Sequence, residues 1–249
     1  MNPLENEKNT DSLEQEDAKT ECTTVVIPNH MKRLPPGTFA GYWNLSSVEI
    51  PTSVRYVHFD FAVTCEKLSE IIVEKDHPMF ISDNGILYDK RMKKLIRCPQ
   101  GKRGIVTIPE GVEIIVQGAF SRCNRIPCVH LPSTLKTIDS GAFALCENLI
   151  SIEIPQQIDT ISRSAFFFCL SLENIILPKT LKKIQANAFS FCQSLVSIDI
   201  PQTITYVGKD AFKGCSELII FSEHVMKPQH WSKLWNPKNR PVHWNTSIK

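Results

Sequence analysis

Cys128 and His130 stand two residues apart, and 23 residues further along the chain Ser151 and Glu153 repeat that spacing. A thiol, an imidazole and a carboxylate within reach of one another are the elements of a cysteine nucleophile oriented by histidine and acid. If these residues point out from a sheet, however, nothing excludes water, and no pair of donors for an oxyanion is evident. They are therefore read as recognition residues, with a Cys/His enzyme or metal protein built on Cys128, His130 and Glu153 as the outsider. Five more cysteines, Cys123, Cys146, Cys169, Cys192 and Cys215, recur at a strict interval of 23. On coils stacked about 4.8 Å apart their side chains run parallel, whereas a disulfide needs two Cβ atoms directed at each other. No Cys-x-x-Cys pair offers a tetrahedral zinc site. The column is expected to fill a core as small apolar side chains, and the odd total of nine cysteines suits a reducing compartment. Asp83-Asn84-Gly85 could open a calcium loop, but the other ligand positions and the closing glutamate are missing. No cofactor or metal is expected.

The spacing of these residues belongs to a larger ruler. Pro109, Pro132, Pro155, Pro178 and Pro201 are each 23 residues apart, which marks a stacked repeat. Aligned on them, apolar residues recur (Val112, Leu135, Ile158, Leu181 and Ile204; Ile115, Ile138, Ile161, Ile184 and Val207), followed in every unit by Ala-Phe and then the cysteine. Alternating segments such as 150–154 and 196–200 read as half-buried strands. Upstream the frame is damaged: Tyr42 takes the first cysteine slot, Ala62 the phenylalanine slot beside a shifted Phe61, and Glu74 a proline slot. About eight coils are expected over residues 24–223, one of them enlarged at 74–108, with degenerate ends as caps.

Residues 1–23 read as a disordered acidic tail, with seven acids against Lys8 and Lys19 over the first 21 positions. The enlarged coil carries a basic run, Lys90, Arg91, Lys93, Lys94 and Arg97, on an expected β-hairpin formed by Ile86-Leu87-Tyr88 and a return strand at Leu95-Ile96. Such a run is either a solvated surface or a site for an acidic partner. Nucleic acid is not expected, since stacking aromatics are sparse in the run and the sequence pI is 8.0. No apolar run is long enough for a membrane helix. The N-terminus lacks a signal-peptide pattern, so a cytoplasmic protein is expected. Residues 224–249, with Trp231, Trp235 and Trp244, read as an aromatic cap over the last coil rather than a sugar or choline platform.

The unit Leu-x-x-Ile-x-Ile-Pro-x-x-(Ile/Leu)-x-x-Ile-x-x-x-Ala-Phe-x-x-Cys resembles the BspA-like leucine-rich repeat, the Treponema pallidum type, over about residues 24–223. The interruption by Asn84-Gly85-Ile86-Leu87-Tyr88 also fits, as does the Trp-rich ending. The resemblance implies a right-handed leucine-rich-repeat solenoid with a parallel sheet on its concave face and short helical or irregular convex segments. It implies protein recognition without catalysis, and, as an alternative to a cytoplasmic protein, a cell-surface or secreted adhesin binding host matrix proteins.

On such a coil the residues two and four before each proline point out onto the concave sheet. Ser47, Glu49, Cys128, His130, Ser151, Glu153, Asn174, Ser197 and Asp199 are the expected binding residues there, with Lys90, Arg91, Lys93, Lys94 and Arg97 on the hairpin. A protein or peptide partner is expected, taken by a monomer.

Overall fold

A computed structural model describes residue 19 and residues 21–247; most of the stretch read as an acidic tail lies outside the described residues. The chain divides into two compact units, residues 1–91 with 96–102, and residues 92–95 with 103–249. The first holds β1 (Thr24–Val26), β2 (Arg33–Leu34), β3 (Ser47–Ile50), β4 (Tyr56–Val57), β5 (Glu70–Val73), β6 (Phe80–Asp83) and β7 (Ile86–Asp89). Strand β8 (Lys94–Arg97) is divided, its first half in the second unit. The second unit continues with β9 (Val106–Thr107), β10 (Ile114–Ile115), β11 (Val129–His130), β12 (Thr137–Ile138), β13 (Ser151–Glu153), β14 (Thr160–Ile161), β15 (Asn174–Ile176), β16 (Lys183–Ile184), β17 (Ser197–Ile200), β18 (Tyr206–Val207), β19 (Ile219–Ser222) and β20 (Val242–Trp244).

The interval of the prolines is the register of parallel ladders. In the second unit Ser151 lies opposite Asn174 and Ile114 opposite Thr137, and in the first Thr24 lies opposite Ser47. The regular coils thus contribute one strand before the proline and a two-residue strand after it, forming a parallel β-solenoid with almost no helix among the described residues. Eight of the strands of the first kind end at the expected proline slots. Two more, β19 and β20, continue the series without an Ile-Pro to mark them; β20 pairs parallel with β19, Phe221 opposite His243. Each proline carbonyl also closes a tight turn, as Pro155 does by accepting the Ile158 amide at 3.1 Å.

The core of the second unit is a set of columns. Phe120, Phe143, Phe166, Phe189 and Phe212 are buried and stacked, with successive centroids 4.8, 5.3, 5.5 and 5.7 Å apart. Beside them the cysteines do more than fill space. The thiols of Cys146, Cys169, Cys192 and Cys215 donate to the carbonyls of Phe120, Phe143, Phe166 and Phe189 at 3.0–3.1 Å. Each thiol thereby takes the second lone pair of a buried carbonyl that already accepts the amide three residues on, as Phe120 does from Cys123 at 3.0 Å. Burial pushes the Cys215 thiol up to about 12 and those of Cys169 and Cys192 well above their ordinary value, so these sulfurs are protonated and inert near neutrality. In the first unit the damaged columns are rebuilt: Phe61 packs edge-on to Phe39 at 5.9 Å, and the Cys65 thiol donates to the Phe39 carbonyl at 3.3 Å.

The hairpin of the enlarged coil is β6 against β7, antiparallel, with Asp83 opposite Ile86. Asn84 (φ 48°) and Gly85 (φ 74°) form its two-residue turn, both left-handed as a type I′ connection requires. The hairpin expected from Ile86-Leu87-Tyr88 therefore pairs backward onto Phe80–Asp83 rather than forward only.

His77, at the base of this hairpin, is buried. Its Nδ1 accepts the amides of Met79 (3.1 Å) and Phe80 (3.0 Å), which places the single ring proton on Nε2. Burial, and then the charge of Arg55, hold its pKa below the ordinary value, although the carbonyls of Val54 and Pro51 pull the other way. The unfolded chain consequently binds this proton more readily than the folded one. Stability from His77 is complete above the unfolded value of about 6.5 and is lost as pH falls below it. The protection factors for hydrogen exchange at Met79 and Phe80, taken against the intrinsic rate at each pH, are expected to fall between pH 7.5 and 5. In His77→Asn, whose Oδ1 can accept the same amides, that fall should shrink; an unchanged pH response in the variant would assign it to another group.

Candidate functional site

The strands preceding the prolines bury every second side chain and present the others. In the second unit Val129, Ile152, Ile175 and Ile198 point into the core, so Cys128, His130, Ser151, Glu153, Asn174, Ile176, Ser197 and Asp199 face outward as the alternation requires. A parallel bridge sets Cys128 opposite Ser151, which carries His130 to the coil beside Glu153. Glu153 in turn lies opposite Ile176. The structure thus brings these sequence-predicted residues onto one face. Ser47 and Glu49, half-buried on β3, hold the same positions on the first unit, opposite Thr24 and Val26 on one side and Glu70 and Ile72 on the other.

His130 Nδ1 contacts the Thr107 hydroxyl, 3.4 Å away on the preceding coil, and no hydrogen bond joins Cys128, His130 and Glu153. Among the described residues no group of three metal-ligating side chains converges. What the face does form is a groove of about 810 Å³ lined by Cys128, His130, Ser151, Glu153, Asn174 and Ile176. Its rim comes from the residues after the prolines, Glu110, Ser133, Gln156 and Gln157, which were not expected at the site. Their signal was present: the position after each proline is polar in all five regular repeats. Glu110 is fixed by the Ser133 amide (2.9 Å) and hydroxyl (3.1 Å), and these bonds hold its carboxyl below the ordinary range.

The basic run is dispersed by the fold. Arg97 is buried because strand alternation turns it inward beside Leu95, and it cannot serve as a surface contact. Lys93 is paired with Glu113 at 2.8 Å, and Lys136 completes the cluster at 2.8 Å. The hydrogen bonds from Lys136 and Lys93 hold the Glu113 carboxyl at about 2. Lys90, Arg91 and Lys94 are exposed. At the C-terminus Trp231 and Trp235 are buried and packed on each other at 4.9 Å, with Trp235 edge-on to Phe212 at 5.9 Å. Neither ring is free to act as a sugar platform.

Fold and face together define a repeat protein of the parallel-solenoid class with an open groove on its strand face. The model of the BspA type leucine-rich repeat region matches residues 17–85 and 102–219 in six copies, and the chain belongs to that family. The gap between the matches, residues 86–101, falls within the enlarged coil. Among the curated proteins none matches this chain. Among solved structures it is similar to a leucine-rich cell surface protein from Faecalibacterium prausnitzii, with 25% identity and a TM-score of 0.69 over 93% of this chain and 62% of that one. A leucine-rich repeat protein from Bacteroides ovatus is also similar, with 25% identity and a TM-score of 0.59 over 90% and 63%. One from Eubacterium ventriosum, at 22% identity and a TM-score of 0.56 over 84% and 67%, shows the same fold. The chain spans about three fifths of the length of the first of these. Among the described residues no helix is long and apolar enough to cross a membrane.

Proposed function

We propose that this chain is a non-enzymatic binding module that recognises another protein through the outward face of the strands preceding the prolines. The observation that carries this reading is the contrast within those strands: inward positions repeat, whereas the outward ones change from coil to coil and line an open groove. A surface of mixed hydroxyls, acids and isolated isoleucines suits a protein partner through shape and hydrogen bonds. Display at a cell surface is a second reading, favoured by the similarity to the cell surface protein of Faecalibacterium prausnitzii.

The test is affinity capture from extracts and surface fractions of the native cells, comparing the wild type with a variant carrying Ser151→Lys, Glu153→Lys and Asp199→Lys. Partners retained by the wild type are expected to be lost from the variant. Equal capture by both proteins would move the site away from this face.

A further inference from the structure

The segment that follows the last repeat, residues 225–249, carries five lysines and arginines and no acid. Three of these cations, Lys227, Lys233 and Arg240, line one cavity of about 420 Å³ together with Asn236, Asn239 and Trp235. Among the described residues no carboxylate shares its wall. The cavity has no lining residue in common with the strand-face groove, so it goes beyond the binding function proposed above.

Arg240 is built into this wall. Asn236, only 8% exposed, accepts the Arg240 amide on Oδ1 at 2.9 Å and donates from Nδ2 to the Arg240 carbonyl at 3.0 Å. One buried side chain thereby fixes both backbone groups of the arginine. At the far end of the arginine side chain Nη1 donates to the Ser216 carbonyl at 2.8 Å, which anchors the planar fork. The Nε–H is buried without an acceptor, and among the described residues no carboxylate pairs with the guanidinium. An orphaned donor on a half-buried charge is costly and uncommon in a native fold, and a bound ion is one of its ordinary explanations. Lys227 is held as well, its ammonium on the Trp231 carbonyl at 3.0 Å. The Lys233 side chain is exposed and has no partner among the described residues.

An arginine anchored at both ends and two ammonium heads, around one cavity with no counter-charge, form a seat for an anion. We infer that this cavity binds a phosphate-type oxyanion, either free phosphate or the phosphoryl group of a monoester. A carboxylate offers one charge and two oxygens, too little for three separate cations. A phosphoryl group carries about −1.5 to −2 charges near neutral pH and three strong acceptor oxygens. Arginine supplies the directional contacts, since its remaining N–H groups lie in one plane, and the lysines act as point charges. The ligand brings the counter-charge that the fold omits, so binding also stabilises this end of the chain.

The measurement is an amide and indole NMR titration of the full chain with sodium phosphate, glycerol phosphate and sodium acetate, each at constant ionic strength set by sodium chloride. Saturable shifts are expected at the Asn239 and Arg240 amides and the Trp235 indole with both phosphates, and acetate should bind about tenfold more weakly. Lys233→Gln removes no contact within the protein and should weaken phosphate binding about tenfold, as loss of a charge-assisted contact implies. Arg240→Gln should abolish saturation. Tighter binding of phosphate assigns the site to the free ion, and tighter binding of glycerol phosphate assigns it to a monoester; either result supports the inference. Shifts that grow linearly with phosphate, equal affinity for acetate, or wild-type affinity in either variant would overturn it.

Discussion

Phe166→Ala is expected to lower the stability of the second unit by about 3–5 kcal/mol. The side chain is fully buried and lies midway in the stack, 5.3 Å from Phe143 and 5.5 Å from Phe189 with interplanar angles of 4° and 7°. Truncation removes its burial and two ring contacts at once. Because each coil of a solenoid touches only its neighbours, the cavity falls on two interfaces and cannot be shared by a distant core. The coils on either side should then unfold with reduced cooperativity, seen as a broadened urea transition by circular dichroism. Phe167→Ala is the control. That ring is half-buried, has no counterpart in the neighbouring repeats and meets Phe168 and Phe191 at the surface, so its removal should cost about 1 kcal/mol. Equal losses in the two variants would mean that the stack does not organise the unit.

These columns were legible because the sequence repeats them without a slip. Periodicity alone locates the Ala-Phe pair, the inward strand residues and the outward positions that line the groove. What it hides is the backbone. Arg122, Leu145, Phe168 and Phe191 share a column with φ between 61° and 64°, continued by Gly214 at 77°. Of the five only Gly214 advertises a left-handed conformation; in the others the hydrogen bond to the next coil, for example Leu145 N–H to the Phe167 carbonyl at 2.7 Å, fixes a geometry the residue type disfavours. A similar reason concealed the role of the cysteines. Their size and burial follow from composition, whereas donation to the phenylalanine carbonyl three residues back on the preceding coil depends on a turn that no single repeat reveals. Arg97 was misplaced because a charge count ignores which face of β8 it occupies. The groove rim does not follow from strand alternation, because Glu110, Ser133, Gln156 and Gln157 belong to the turns after the prolines, which stand beside the strands.

Removing residues 225–249 is expected to make the chain aggregate. The segment supplies β20, which covers the hydrogen-bonding edge of β19, and an unprotected edge strand templates association. It also supplies Trp235, which closes the phenylalanine stack at Phe212, and backbone contacts to the final coils: Asp210 N–H to the Leu234 carbonyl and Ser232 N–H to that of Val207, both at 2.8 Å. Edge and core can be separated. Trp235→Ala retains β20 but opens the end of the stack, so it should lose about 3–5 kcal/mol while remaining monomeric by light scattering. The truncation should lose at least as much and also associate at micromolar concentration. A truncated chain that stayed monomeric and melted in one sharp transition would show that β19 needs no cover. Aggregation of both proteins would instead assign the protection to the tryptophan packing, with β20 following from it.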